Sequence, residues 1–162
     1  MLELRRLSYD HPDAQELTAR AQTYYVELYG GPDDDPLTAD ELAAPHGGFV
    51  FVYLDGAPVA MGGWTFADSD LAGRVAKIRR MFVDDTVRRL GLARAVLVHL
   101  ETEAAQQGVT RVILATGRPQ VEAISFYRSH GYSDIAPFGY YADEDGVVCL
   151  GKDLGPRTQP TS

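Results

Sequence analysis

A two-residue turn signal, Asp55-Gly56, separates two stretches that have the composition of β-strands, residues 49–54 and 58–67. Asp-Gly tolerates the positive φ angles of a type I′ turn, which joins antiparallel strands. A third strand is predicted over residues 74–84, and a helix and another strand follow it. Because a strand-helix-strand unit joins parallel strands, the sequence predicts an α/β fold with a mixed, mostly antiparallel twisted sheet and helices on both of its faces.

The other elements are predicted from apolar periodicity and from glycine and proline breakers. Val96, Leu97 and Leu100 share one face of a long helix that begins near Leu92 and ends at Gly108. The remaining elements are a helix over 13–29, a short helix after Thr38, a strand over 110–116, a helix from Pro119 to about His130, and strands over 132–138 and 146–153.

The length of 162 residues and the hydrophobic fraction of 45% are those of one globular domain. We assign residues 1–154 to this domain and residues 155–162 to a flexible C-terminal tail. No apolar run is long enough to span a membrane, and the first residues lack the apolar stretch of a secretory signal. The single cysteine, Cys149, cannot form an internal disulfide. The sequence therefore predicts a cytoplasmic protein.

The net charge of −8 should repel nucleic acids and anionic membranes, so we expect neither as a partner. Seven basic residues nevertheless lie in the segment from Arg74 to Arg94, together with only two aspartates. This segment could attract a small polyanion, or its charges could form an ordinary solvated surface.

The segment from Arg88 to Arg94 joins a predicted strand to the start of the long helix. Free backbone N–H groups, the positive end of the helix dipole and nearby arginines favour an anion at such a position. The segment matches neither the phosphate-binding loop that ends in Gly-Lys-Ser/Thr nor the G-x-G-x-x-G dinucleotide pattern. Without those patterns, a small-residue helix start is also typical of a simple turn.

Two motifs in this sequence resemble those of the GNAT superfamily of N-acetyltransferases. Arg88-x-x-Gly91-x-Ala93, which follows the strand Met81-Phe82-Val83, is similar to the acetyl-CoA signature of that family. The segment from Ala123 to Tyr132, AISFYRSHGY, is similar to its second motif. The order of the predicted elements also agrees with that of the family, and the ending around Cys149 resembles small bacterial members.

The resemblance implies that acetyl-CoA is the cosubstrate. Backbone groups of Met81 and Val83 would pair with the pantetheine arm, and backbone N–H groups from Arg89 to Arg94 would hold the pyrophosphate. Tyr127 would protonate the leaving thiolate, and the Val83 N–H would polarise the thioester carbonyl. The full set of cofactor-binding residues implied by the resemblance is Met81, Phe82, Val83, Arg88, Arg89, Leu90, Gly91, Leu92, Ala93, Arg94, Thr116, Gln120, Phe126 and Tyr127.

No residue is assigned as the general base. Related sequences often carry Glu four residues before the Met-x-Val segment, and here that position holds Lys77, whose protonated form cannot accept a proton. Glu101, Glu103 and Glu122 are predicted to lie at the surface. A second departure is Gln120, where many members have Asn.

In this family the first helix, the following loop and the last hairpin usually form the acceptor site. These pieces contain five tyrosines and three aspartates: Tyr24, Tyr25, Tyr29, Tyr140, Tyr141, Asp33, Asp34 and Asp35. One hypothesis is an aromatic, acidic wall that binds a cationic amine. The alternative is that half of the tyrosines belong to the core and the aspartates only solubilise a loop.

The resemblance thus implies an enzyme that transfers an acetyl group directly to a primary amine of a small molecule or peptide. A CoA-binding sensor or interaction domain with weak turnover is the main alternative, and Lys77 is the residue that favours it. A scaffold that binds no ligand is a third. The four histidines lack metal-ligand spacing, so no metal is expected. The resemblance is also compatible with a homodimer, which is a common oligomeric state in this family.

Overall fold

The computed structural model of the protein describes residues 2–29, 37, 39–44, 46–67, 74–84, 87, 90–138 and 145–154. The strands are β1 (Leu2–Arg5), β2 (Gly47–Leu54), β3 (Ala57–Phe66), β4 (Val75–Val83), β5 (Arg111–Gly117), β6 (Ser133–Asp134) and β7 (Val147–Asp153). The helices are α1 (Pro12–Tyr29), α2 (Leu92–Gln106) and α3 (Val121–Ser129), and residues Asp40–Leu42 form a 3₁₀ turn.

The described strands form one sheet in the order β1-β2-β3-β4-β5-β7-β6. Of the pairs in it, only β4 and β5 run parallel. Asp55 and Gly56 both have positive φ, at 51° and 86°, as the predicted hairpin turn requires. The mixed, mostly antiparallel sheet that the sequence predicts is therefore confirmed.

The two faces of the sheet carry separate hydrophobic clusters because side chains alternate along each strand. On β2, Phe49 and Phe51 pack in one cluster with Leu17 of α1. Val50 and Val52 point to the opposite face, where they share a cluster with α2 and with Tyr127 of α3. Helices thus cover both faces, with α1 on one and α2 and α3 on the other.

Three local expectations differ from the structure. Strand β1 was not predicted from the sequence, because its four residues are all exposed at the sheet edge and carry no buried pattern. The strand predicted over 132–138 pairs with β7 only at Ser133–Asp134, and Pro137 lacks the N–H that a longer ladder would need. The short helix predicted after Thr38 is only the 3₁₀ turn.

A β-bulge interrupts β4 opposite Gly62. The register passes from Met61 paired with Phe82 to Gly63 paired with Arg79, so Arg80 and Met81 both face Gly62. Arg80 has a φ of 55°, which is unusual for a residue with a side chain. Such a bulge bends its strand and increases its twist.

Beyond this region, β4 and β5 no longer pair. Their ladder holds only Val75–Lys77 of β4 against Arg111–Ile113 of β5. Residues 78–83 keep their partner β3, and residues 114–117 keep their partner β7. The sheet therefore opens along its centre between residues 78–83 and 114–117, and we call this opening the wedge.

Gly62 allows α2 to pack closely on the sheet beside the bulge. A Cβ added there would lie 2.6 Å from Val96 Cγ1 and 3.2 Å from Met81 Sδ. We expect Gly62→Ala to lower the free energy of unfolding by about 1–3 kcal/mol through overpacking, as measured by urea denaturation.

A matched control is Gly151→Ala on β7, where the nearest atom to the added Cβ is Ile135 Cγ2 at 3.1 Å. This side chain needs to move only slightly, so the control should lose less stability. Equal stability losses in the two variants would contradict the close packing of α2 at Gly62.

Candidate active site

A cavity of about 970 Å³ occupies the wedge and continues onto both faces of the sheet. Its lining comprises parts of α1, β4, β5, the start of α2 and α3. The described residues that line it are Tyr24, Tyr25, Lys77, Ile78, Arg79, Arg80, Met81, Phe82, Val83, Val87, Gly91, Leu92, Ala93, Arg94, Leu114, Ala115, Thr116, Pro119, Gln120, Val121, Glu122, Ala123, Phe126, Tyr127 and Phe138.

The backbone of Val83 is directed into the wedge. The Asp84 N–H donates to the Val59 carbonyl at 2.8 Å. The neighbouring residues Val83 on β4 and Ala60 on β3 lie opposite each other in the ladder. In an antiparallel ladder this makes Val83 and Ala60 a non-hydrogen-bonded pair, whose N–H and C=O groups point away from each other. The Val83 groups therefore point away from β3, to the side where β5 has separated.

The start of α2 offers backbone N–H groups at another part of the cavity. Gly91 is its N-cap with a φ of 75°, and among the described residues no side chain caps the helix. An added Cβ at Gly91 would meet nothing within 4 Å, so backbone conformation rather than space favours glycine here. The N–H groups of Leu92, Ala93 and Arg94 have no acceptor within the helix and suit an anion.

Tyr127 lies on α3 and is only 6% exposed, although it lines the cavity. Its ring makes edge contacts with Phe126 at 5.3 Å and with Tyr132 at 5.6 Å. Burial and, secondarily, the nearby Tyr25 raise the pKa of Tyr127 above the ordinary value of 10.0. The hydroxyl therefore stays protonated at neutral pH and can act as a proton donor.

The structure brings most of the predicted cofactor-binding residues to one cavity. Leu90 is the exception among those described, since it is 54% exposed and does not line the cavity. Arg88 and Arg89 lie outside the described residues.

The predicted acceptor residues are only partly within the described structure. Tyr24 and Tyr25 line the cavity from α1. Tyr29 is the last residue of α1, but its side chain lies outside the described part of the molecule, as do Tyr140, Tyr141 and Asp33 to Asp35.

Several lining residues were not predicted from the sequence. Arg79 and Arg80 appeared there only as members of a basic segment, and Phe138 carried no motif at all. Leu114 and Ala115 precede Thr116 on β5 and could have been found by asking which residues face the gap left by β4. Their apolar character alone is equally typical of core residues.

Lys77, at the position where related sequences often have Glu, also lines the cavity. Its ammonium lies over the Phe138 ring, 5.4 Å from the ring centroid. Among the described residues, the lining contains one carboxylate, Glu122 on α3.

Glu101 and Glu103, which lie on α2, instead make hydrogen bonds to residues outside that helix. Glu101 accepts hydrogen bonds from the Tyr132 hydroxyl at 2.7 Å and from Lys152 Nζ at 3.2 Å. Glu103 accepts one from Trp64 Nε1 at 3.0 Å. Neither carboxylate lines the cavity, and both connect α2 to the sheet and its neighbours.

Across the described part of the chain, no group of three or more His, Cys, Asp or Glu side chains could hold a metal ion. No described helix is long and apolar enough to cross a membrane.

The profile of the acetyltransferase (GNAT) family matches residues 14–132, which contain nearly all of the cavity lining. The chain belongs to the GNAT family of acetyltransferases. An IAA acetyltransferase of Azospirillum brasilense is 30% identical over 139 residues, which cover 86% of this chain and 89% of that protein.

Solved GNAT structures share the fold. A PaiA N-acetyltransferase from Thermoplasma acidophilum, in complex with coenzyme A, aligns with a TM-score of 0.73 at 13% identity and covers 94% of this chain and 99% of its own. The ribosomal-protein-S18-alanine N-acetyltransferase from Escherichia coli aligns with a TM-score of 0.70 at 20% identity, over 100% of this chain and 99% of its own.

The raised pKa of Tyr127 in this GNAT protein leads to a prediction about alkaline pH. The folded protein holds the phenolic proton more tightly than the unfolded chain does, so this contribution to stability is complete below about pH 10. It is lost as the pH rises from there through the folded pKa. Compared with Tyr127→Phe, the wild type should therefore become progressively less stable above about pH 10.

The measurement is urea denaturation of both proteins from pH 8 to 11, with tyrosinate absorbance followed in the folded state. The difference spectrum between them should show no ionisation of Tyr127 below about pH 10. Ionisation of Tyr127 at lower pH would contradict its burial.

Proposed function

We propose that this protein is an acetyl-CoA-dependent N-acetyltransferase that transfers the acetyl group directly to a primary amine. The observation that carries the proposal is the wedge, where the backbone of Val83 and the side chain of Tyr127 meet one cavity. Family membership supports acetyl transfer as the type of reaction.

The cavity fits the parts of acetyl-CoA in a definite order. The free edge of β4 at Val83 suits the amide groups of the pantetheine arm, because an extended chain can pair with an unpaired strand edge. The N–H groups at the start of α2 and the guanidinium of Arg94 suit the pyrophosphate. Residues Met81, Thr116, Gln120 and Phe126 would line the path between the strands and α3.

Bound acetyl-CoA would supply a thioester whose carbonyl carbon an amine can attack and whose sulfur leaves. The Val83 N–H would hydrogen-bond to the carbonyl oxygen as it gains negative charge. Tyr127 would hold a proton for the departing sulfur, since its raised pKa keeps the hydroxyl neutral. This assigns an acid but no base, so the amine would arrive neutral or release its proton to water.

A catalytically weak CoA-binding sensor is the second candidate. It is favoured by Lys77, which lines the cavity where related sequences often carry a carboxylate. Such a protein would bind CoA saturably without releasing thiol when amines are added.

The variant Tyr127→Phe directly tests the proposed acetyl transfer and the role of Tyr127 as its general acid. We expect it to lower kcat by about 10²–10⁴-fold, because general acid catalysis contributes on that order, with little change in acetyl-CoA affinity. The assay follows acceptor-dependent thiol release from acetyl-CoA over a panel of amines, amino acids, polyamines and peptide N-termini, with affinity measured by calorimetry.

The matched control is Tyr53→Phe, which also removes the hydroxyl of a buried tyrosine. This hydroxyl donates to Asp13 at 2.5 Å, and Tyr53 does not line the cavity. It should leave kcat unchanged. Equal rates for wild type and Tyr127→Phe would remove Tyr127 from the mechanism. Saturable CoA binding by the wild type, with no thiol release for any acceptor, would favour the sensor.

A further inference from the structure

On the basis of the proposed function, we propose that Thr18 of α1 binds the acceptor through an oxygen, in a hydroxyl or carbonyl group, that lies a few bonds from the acceptor's amine. The Thr18 hydroxyl forms a hydrogen bond with this oxygen in a small recess beside the wedge. The inference names a class of acceptor, amines with a nearby uncharged polar group, and the residue that selects it.

The Thr18 hydroxyl is a buried polar group whose hydrogen-bonding capacity is unused. Its Oγ1 atom is shielded from solvent and has no hydrogen-bond partner among the described residues. A threonine within a helix can donate back to the carbonyl four residues earlier. Thr23 donates in this way to Ala19 at 3.1 Å, and Thr102 to Val98 at 2.7 Å. Since the Thr18 hydroxyl makes no such bond in the described structure, it can both donate and accept.

A buried hydroxyl without a partner is costly, because it loses its hydrogen bonds to water and gains none in return. It therefore requires a partner from outside the chain, either a water or a ligand. The described residues contain one other buried polar atom of this kind, His99 Nε2, which lies 3.4 Å from Glu103 Oε2 and pairs with it when the imidazole is protonated.

The hydroxyl belongs to a recess between α1 and the sheet. Thr18 lies four residues after Ala14 and three before Ala21, which are 0% and 5% exposed, so all three share the inner face of α1. The recess has a volume of about 10 Å³, close to the space that one water-sized group needs. It therefore suits a single oxygen rather than a larger group.

This recess adjoins the wedge on the face of the sheet that α1 covers. Tyr25, Arg80 and Phe82 line both the recess and the cavity of the wedge. Met61, which also lines the recess, belongs to the cluster on the α1 side, and Phe82 packs against that cluster. The proposed pyrophosphate site at the start of α2 lies on the opposite face. The phosphates of the cofactor therefore leave the recess to the acceptor.

The recess also lies beside the groups that take part in the proposed reaction. Phe82 directly precedes Val83, and the Cα atoms of consecutive residues are about 3.8 Å apart. Tyr25 is close enough to Tyr127 to contribute to its raised pKa. An amine that attacks the thioester in the wedge therefore places its neighbouring atoms at the recess. This position favours an acceptor oxygen over a water as the partner of Thr18.

The test compares acceptors of similar shape that differ in one polar group. Ethanolamine is paired with propylamine, 2-amino-1-phenylethanol with 2-phenylpropylamine, and glycinamide with isobutylamine. Steady-state thiol release from acetyl-CoA gives the KM of each amine, and calorimetry gives its binding to the CoA-saturated protein. The quantity compared between proteins is the KM ratio, the KM of the oxygen-free amine divided by that of its oxygen-bearing partner.

Thr18→Val removes the hydroxyl at nearly constant volume, and Thr18→Ser retains it. In at least one pair Thr18→Val should lower the KM ratio by about tenfold or more, because a site built to bind a hydroxyl or similar group discriminates strongly against its absence. Thr18→Ser should keep the ratio within about threefold of the wild-type value. Every protein receives the same two amines, so differences in amine basicity cancel.

The matched control is Thr23→Val on the same helix, which removes an exposed hydroxyl that donates to the Ala19 carbonyl. It should leave the KM ratio unchanged. A second readout needs no acceptor: Thr18→Val should unfold at the same or a higher urea concentration than the wild type, since it removes an unsatisfied buried group. A lower urea midpoint would show that the hydroxyl already has a partner and would overturn the inference.

The kinetic outcomes separate this inference from the proposed function. If thiol is released but Thr18→Val keeps the wild-type KM ratio in every pair, a water alone fills the recess, the inference is overturned and the acetyltransferase stands. If an oxygen-bearing amine binds the CoA-saturated wild type at least tenfold more tightly than Thr18→Val without thiol release, the site is supported and the enzyme is rejected. If none of these amines binds or reacts, both are overturned.

Discussion

The loss of pairing between β4 and β5 is the constraint on which the site depends. Two parallel strands at the centre of a sheet normally satisfy each other's backbone groups, but here the ladder stops after Lys77 and Ile113. The bulge at Arg80 and Met81 bends β4 while β3 continues to hold it. The result is a strand edge inside the molecule, with backbone groups available to a ligand.

The packing around the wedge keeps this opening in a fixed shape. Gly62 lets α2 approach the sheet beside the bulge, and Glu101 and Glu103 connect α2 to Tyr132 and Trp64. The start of α2 is thereby held near the end of β4, and Tyr127 of α3 is packed against Tyr132. Strand edge, helix start and phenol are positioned by one shared core rather than by loops.

Much of the fold could be predicted from the sequence because its signals are local. Asp55-Gly56 and Gly91 are residue types that suit the positive φ angles found there. The spacing of apolar residues in α2 indicates a helix that is buried along one face. Strand β1 could not be predicted, since an exposed edge strand buries nothing that would give a pattern. The composition of β5 does not reveal the wedge either, because the same apolar residues form this strand whether or not β4 pairs with it.

The basic residues of β4 illustrate the same limit. The basic segment was visible in the sequence, but its division between the two faces of the sheet depends on strand alternation and on the bulge. Motif resemblance predicted residues such as Gly91 and Tyr127, which line the cavity. The side chains that would choose an acceptor follow no motif, since acceptors differ among proteins that share a fold.

Amide hydrogen exchange, followed by NMR with and without CoA, tests whether the wedge binds the cofactor. We expect slower exchange at Val83 and at Leu92 to Arg94 when CoA is bound. Phe82, whose register partner is Met61 on β3, should be unchanged. Unaltered exchange at Val83 in a CoA-saturated protein would contradict the assignment of the wedge as the cofactor site.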